Sequence, residues 1–498
     1  MMDTENTGHN QCWMSEEYLR HISITIDNTK QVIDEFGDEY TIIRFPFVAR
    51  RAYDSVKLKC AILNEGFLLR MKGPSVMVAE GTKVKSQSIK QSNARQNLLI
   101  VLCWAVYVVA YLGRYSYNSN INLIMSDYSV DHAAAGLVTT FFFFGYGVGQ
   151  FVNGMLCNRY NKHFLFPMVL LASGVINIAV YFHVPFAVIK FLWLINACLQ
   201  SCLWPSIILL VSQYLDEKHM KGALVLLSTT APTGTFIVYL LSTVFVRIGQ
   251  FQLSFFFSAL SMGAVAVLWL LLFPKIRTMP LQTVNTGKRD VAYGAKGKSP
   301  AASIGLLVGT LCVFAVIHNL VKDGLQTWVP SILKETQGVE DSLAILLSLL
   351  LPLLGIFGAM LSLAVEKRVR NLIALCSAMF LVAVPLILLV TKVMATSTVI
   401  TLLAFGILVL LMCAVNNAIT GIAPLRLRTD FNSGRLAGIL NACCYVGSTI
   451  SSYLLGLIAD KAGWNAVMYV FVGVALFALI VGTMVLLAQR RQNSLKIH

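Results

Sequence analysis

Asn97-Leu-Leu-Ile-Val-Leu-Cys-Trp-Ala-Val-Tyr-Val-Val-Ala-Tyr-Leu-Gly-Arg114 carries no charge until its last residue, and Tyr115-Ser-Tyr117-Asn118 follows. Carried on to about residue 124, the stretch has the roughly 20 residues a helix needs to cross about 30 Å of hydrocarbon. An ionisable side chain at bilayer depth costs about 3 kcal/mol or more, so Arg114 must face a cavity or a partner. The stretch therefore reads as a membrane-spanning helix with a functional charge inside it.

Outward from it the pattern repeats. Apolar runs of similar length predict helices over about 97–124, 133–157, 164–183, 186–214, 219–246 and 251–273, then 301–329, 341–365, 371–391, 396–424, 434–459 and 465–488. The fold expected is all-α and integral to the membrane, with twelve transmembrane helices in two pseudo-symmetric six-helix bundles. The corresponding regions are an N-terminal segment 1–95, a first bundle 96–273, a polar central loop 274–300, a second bundle 301–488 and a tail 489–498. A chain 57% hydrophobic and only 13% charged is too apolar for soluble domains of this length.

Alternate loops hold nineteen Lys and Arg between Arg159 and Lys496, whereas the intervening loops and helix edges hold five. The positive-inside rule then places both termini in the cytoplasm, in a plasma (inner) membrane. A net charge of +15 comes without an arginine-rich helix, zinc spacing or stacking motif, so a nucleic-acid partner is not expected. The lipid bilayer is, and the chain is expected to be a monomer. Eleven cysteines, an odd number scattered through apolar runs, read as packing residues; Cys198 and Cys202 share a helix face without a further ligand, so no metal is expected. Met1 to Arg95 lacks the pattern of a secretory signal, so the first helix is expected to direct insertion. That region has thirteen basic and twelve acidic residues, with strand-like stretches at Tyr40–Phe47 and Val56–Leu63. It reads as a poorly ordered cytoplasmic tail or a mispredicted start of translation, or else as a small docking domain.

The two sets of helices are in register. Adding 208 takes Arg114 to Lys322 and Gly147 to Gly355; it takes Gly154, Asn158, Arg159 and Lys162 to Ser362, Glu366, Lys367 and Arg370. A constant offset over nearly fifty residues at equivalent positions marks an internal repeat, and repeat interfaces hold the substrate site of many carriers. Pseudo-symmetry sets Arg114 and Lys322 on opposite walls of one cavity, where two cations favour an anion between them. A purely structural Arg114, neutralised by Asp323 or a backbone carbonyl, is the competing reading. His318, four residues before Lys322, shares its face and is equally readable as a packed residue or a ligand. Asp323 lies about 100° around the helix from Lys322, so it need not pair with it; it could bind a proton or hold either cation in position. Pro205, Pro232, Pro352 and Pro424 are expected to interrupt their helices.

Gly154-Met-Leu-Cys-Asn158-Arg159-Tyr-Asn-Lys162 resembles the loop between helices 2 and 3 of the major facilitator superfamily, with Asn158 in place of the usual acidic residue. The resemblance implies the major facilitator fold. It also implies a cytoplasmic gate of Gly154, Asn158, Arg159 and Lys162 with Glu366, Lys367 and Arg370. The arginine-bearing helix with Tyr115, Tyr117 and Asn118, Trp204-Pro205, Lys322-Asp-Gly324-Leu-Gln-Thr-Trp328-Val-Pro330 and Asp460-Lys-Ala-Gly463-Trp464 are similar to the organophosphate:phosphate antiporters, which include the glycerol-3-phosphate and hexose-phosphate carriers. That resemblance implies exchange of an organic phosphate for inorganic phosphate by a rocker-switch movement, with Arg114 and Lys322 as anion clamps. Lys322 replaces that family's Arg, Tyr115 and Gln150 stand where Lys is expected, and Asp323 is added. Less positive charge suits a monoanion or zwitterion better than a dianion. The substrate-binding set expected is Arg114, Lys322, Tyr115, Tyr117, Asn118, Gln150 and His318. A proton symporter using Asp323 and a transporter-like sensor are the alternatives. No nucleophile–base pair, metal set or phosphate-cradling loop points to an enzyme, and no cofactor is implied.

Overall fold

The computed structural model describes strand fragments between residues 12 and 70, then residues 82–156, 159–277, 301–427 and 433–494. Asn158, the central loop from 278 to 300 and residues 495–498 lie outside the described residues. Residues 1–94 and 95–498 form two compact units. In the first, β1 (Cys12–Trp13) pairs in parallel with β6 (Leu69–Arg70). Two antiparallel pairs join β2 (Gln31–Ile33) to β3 (Glu39–Thr41) and β4 (Ile62–Leu63) to β5 (Gly66–Phe67). Of the strand-like stretches expected there, only the start of Tyr40–Phe47 and the end of Val56–Leu63 lie in described strands.

The second unit is helical. Its spans are α1 (Asn93–Ser119), α2 (His132–Leu156), α3 (Lys162–Tyr181), α4 (Phe186–Tyr214), α5 (Gly222–Arg247), α6 (Leu253–Ile276), α7 (Gly305–Gln337), α8 (Asp341–Glu366), α9 (Leu372–Val393) and α10 (Thr398–Ile422). The helical run Leu436–Arg491 has 56 residues, about 84 Å at 1.5 Å per residue and far more than one bilayer core. It turns at Gly463, whose φ of 76° and ψ of 172° suit a residue without a side chain, and so supplies α11 before the glycine and α12 after it. Among the described residues the spans number twelve, as the hydropathy requires. Large apolar side chains such as Met168, Val175, Leu271 and Val399 are exposed on the outside of the bundle, where lipid is the solvent.

α1 ends earlier than expected. Its helix stops at Ser119, and after Asn120 a short helix, Ile121–Tyr128, follows. Adding 208 to 93–128 gives 301–336, and the seventh helix runs Ala301–Gln337 without interruption. Arg114 is 17 residues beyond Asn97, where the apolar run begins, and 14 before Tyr128, and Lys322 is 21 residues beyond Ala301 and 15 before Gln337. Both cations sit mid-span.

The four prolines act where their chemistry predicts. Proline has no N–H for the carbonyl four residues earlier and its ring crowds that carbonyl. Helical segments accordingly stop at Gln200, Ser228 and Ser348 before Pro205, Pro232 and Pro352. Before Pro424 the helix widens into a π turn over Asn417–Ile422.

The ends of the bundle differ. The end with the Lys- and Arg-rich loops is termed the basic end, and the opposite one, with residues 120–131, 338–340 and Gly463, the far end. At the far end α2 and α11 touch backbone to backbone. A Cβ on Gly136 would lie 2.2 Å from the Ser452 carbonyl oxygen, and one on Gly456 2.6 Å from that of His132. Hydrogen bonds between the halves gather there too: Asn118 to Thr327, Ser331 to Asn122, Asn122 to Asp341 and Tyr239 to the Gln326 carbonyl. One buried apolar cluster spans both halves, from Tyr117, Phe142 and Trp193 to Phe314, Trp328 and Phe405. A second, around Phe166 and Trp269, lies inside the first half.

Candidate functional site

Arg114 is 7% exposed and has aromatic rings in place of a carboxylate. Its guanidinium carbon lies 4.3 Å from the ring centre of Tyr146, 4.5 Å from Tyr111 and 5.1 Å from Phe142, all within cation–π range. From α4, Gln200 Oε1 accepts from Nε and Nη2 at 3.4 and 3.3 Å, while the Gln200 amide donates to Asn196 Oδ1 at 3.0 Å. Gln200 and Asn196 are one turn apart, so the relay follows from helical spacing. Among the described residues no acceptor bonds Nη1, and the charge is cushioned without being neutralised. Neither Asp323 nor a backbone carbonyl takes the role that the structural reading of Arg114 requires.

Lys322 does pair with Asp323: Nζ lies 3.2 Å from Oδ1. Of the roles open to Asp323, this is the one that holds Lys322 in position: the four-carbon lysine stem reaches back around the helix where a shorter one could not. The other carboxylate oxygen of Asp323 accepts from Ser448 on α11, and Ser448 in turn accepts from Asn319 at 2.8 Å. Tyr111, stacked on Tyr115 with ring centres 5.7 Å apart, lies within electrostatic range of both Arg114 and Lys322. Tyr445 of α11 stands within range of Arg114 and Asp323 and packs 5.2 Å from Tyr146. The two cations therefore flank one cluster of tyrosines.

The remaining expected residues divide. Gln150 belongs to this cluster, donating to Tyr146 Oη at 3.2 Å and accepting from Asn441 of α11. His318 is fully buried: Nδ1 donates to the Phe314 carbonyl at 2.9 Å, and Nε2 lies 3.3 Å from the Asn416 side-chain amide, where the π turn begins. Tyr117 and Asn118 are drawn into helix packing. The Tyr117 hydroxyl donates to the Ala135 carbonyl and its ring lies on Trp193. Asn118 bonds Thr327 and accepts from Thr139. Gln200, Tyr146, Tyr445, Ser448 and Asn416 were not singled out in the sequence. An uncharged amide or hydroxyl inside an apolar run gives little signal, although the Asn196/Gln200 spacing is a hint.

At the basic end the bonds described for Lys162, Glu366 and Arg370 lie within their own halves. Lys162 Nζ donates to the Tyr160 carbonyl at 2.8 Å, and Arg426 donates to Glu366 and to the Arg370 carbonyl. Arg159 and Lys367 are exposed. A Cβ on Gly154 would meet no described atom within 4 Å.

Comparison with known proteins adds relatives. The chain is 31% identical over 107 residues to the membrane sensor protein UhpC of Escherichia coli (strain K12), a match covering 22% of this chain and 24% of that one. It is 25% identical over 258 residues to UhpC of Salmonella typhimurium, covering 49% and 58%. It is 26% identical over 101 residues to a probable hexose phosphate transport protein of Chlamydia pneumoniae, covering 20% and 22%. The matches thus span between about a fifth and three fifths of the length of these relatives. Among solved structures, the fold is shared with a bacterial homolog of the human lysosomal transporter Spinster in an inward-facing, occupied conformation. The TM-score is 0.62 at 16% identity, covering 79% of this chain and 97% of that one. The nucleoside transporter NupG gives a TM-score of 0.58 at 10% identity, covering 78% and 99%. The model of the Major Facilitator Superfamily matches residues 103–433. Twelve spans in two registered halves, those structural neighbours and that match agree: the chain belongs to the Major Facilitator Superfamily, as a transport-type membrane protein and not an enzyme.

Proposed function

We propose that the protein is a secondary carrier exchanging a small organic anion, an organic phosphate, for inorganic phosphate by alternating access, with both termini in the cytoplasm of a plasma-type membrane. The observation that carries this reading is the pair of repeat-related, mid-span cations beside one tyrosine cluster, Arg114 held by an amide and rings and Lys322 tethered by Asp323. Counted together, Arg114, Lys322 and Asp323 carry one net positive charge. A singly charged phosphate ester balances that site, whereas a dianion would leave it negative at low dielectric. The fork of Arg114 supplies paired donors for phosphoryl oxygens, Lys322 a compact point charge, and the tyrosines hydroxyl donors with an apolar wall for the organic part. The hexose phosphate transport protein among the relatives supports the phosphate assignment by similarity.

Proteoliposomes preloaded with inorganic phosphate test it. Labelled phosphate should enter by exchange, and a panel of organic phosphates should compete. Absence of exchange with every phosphate tried would remove the reading. The sensor proteins among the relatives favour a second one, in which the same site binds the anion without moving it. Saturable phosphate-ester binding to the purified full chain with no exchange would establish that reading.

A further inference from the structure

At the far end His132, the first residue of α2, stands between two carboxylates from the other half. Its Nδ1 lies 2.6 Å from Asp460 Oδ1 and its Nε2 2.6 Å from Glu335 Oε1. The backbone N–H of His132 and of Ala133 donate to the two oxygens of Asp460 at 3.2 and 2.8 Å, and Trp464 Nε1 donates to Glu335 Oε2 at 2.9 Å. The imidazole packs against Trp328 and Trp464, with ring centres 5.5 and 5.3 Å away, and its side chain is only 16% exposed. The carboxylates sit on opposite edges of the ring, so no single metal ion could be shared by all three groups, and among the described residues no such metal cluster occurs.

Proton counting decides what the arrangement is for. A neutral imidazole has one N–H and one lone pair, and an ionised carboxylate only accepts. Two carboxylates at hydrogen-bond distance from both ring nitrogens are satisfied together only if the trio holds one extra proton, as imidazolium or as one carboxylic acid. His132 belongs to the first half, Glu335 and Asp460 to the second, so the trio exists only while the halves meet. Separation would return His132 to water, where an imidazole has a pKa of about 6.5. Other charges nearby are engaged elsewhere: Lys334 with Asp341 of α8, and Asp131 with the N–H of Ala134. Lys461 follows Asp460 in the chain.

We propose that His132, Glu335 and Asp460 form a proton-binding site that exists only when the two halves are joined at the far end, so that proton binding and closure of that end favour each other. The sign follows from linkage: the closed form binds the proton more tightly, so acid favours closure, and raising the pH favours opening by up to about tenfold per pH unit between the two affinities. The site is independent of which anion is carried.

Hydrogen–deuterium exchange of the full chain in lipid nanodiscs tests this without a substrate. Backbone protection of residues 129–140 and 450–462, corrected for chemical exchange, should fall about tenfold from about pH 5.5 to about pH 8. In His132→Gln, which cannot take up the proton, protection should not change with pH. In Glu335→Gln, whose amide can donate to a neutral imidazole, the transition should shrink and move to lower pH. Equal wild-type protection at both pH values would overturn the proposal, as would His132→Gln keeping the wild-type pH response. If His132→Gln does not fold, an unshifted transition in Glu335→Gln overturns it.

Discussion

Arg114 shows how a buried cation keeps its charge available. Each ring contact contributes about 0.5–2 kcal/mol, and Gln200 fixes one edge of the fork without cancelling it. Gln200→Glu, nearly the same in shape, would place a carboxylate against the guanidinium. Apparent phosphate affinity in the exchange assay should then drop by at least about tenfold while the protein stays folded, since a buried partner charge is worth well over 1.4 kcal/mol. Unchanged affinity would mean that Arg114 does not face the anion.

Asp323 sets the charge of the same site from the other side. A phosphate monoester passes from monoanion to dianion near pH 6, so wild-type affinity for it should weaken as the pH rises past that point. Asp323→Asn, which adds one unit of positive charge, should flatten or reverse that trend in a competition assay at fixed phosphate. Arg114 and Lys322 could be found by reading because a charge in an apolar run is conspicuous. Which role Asp323 takes could not be chosen by reading, because ideal helix geometry separates neighbours and takes no account of the reach of a lysine.

Helices carry the next level of the account. Twelve spans could be read from hydropathy because each must cover the bilayer with apolar residues, and the four proline breaks because proline removes a defined hydrogen bond. The end of α1 at Ser119 could not: the apolar pattern continues through 121–128, and the interruption at Asn120 rests on its side chain bonding the Ser116 carbonyl and Ser242 across to α5. The far-end trio was hidden for a different reason, since His132, Glu335 and Asp460 are brought together by tertiary contact over hundreds of residues. At Gly463 a Cβ would strain the left-handed backbone, so Gly463→Ala should lower stability by about 1 kcal/mol, visible as a lower melting temperature. Gly136→Leu, by contrast, intrudes on the Ser452 carbonyl. It should shift the protein away from far-end closure, read as faster deuterium exchange around residues 129–140; unaltered protection would contradict the tight α2–α11 seam.

For the whole molecule the repeat organises everything else. The offset of 208 holds to within one or two residues at the starts of α8 and α9 and slips by about four at α10: Phe186 advanced by 208 falls four short of Thr398. It sets Arg114 and Lys322 at equivalent depths in their halves, and the bonded far end holds those halves in one of the two arrangements that alternating access requires. On the proposed function, the anion passes two cations that stay in the middle of the membrane. Phosphate exchange by proteoliposomes containing wild type, Arg114→Ala or Lys322→Ala, each first shown to be folded by its melting transition, tests that claim most directly. The account predicts exchange in the wild type and a loss of at least about a hundredfold in each variant, the scale of removing a buried charge partner; normal exchange in both variants would contradict it.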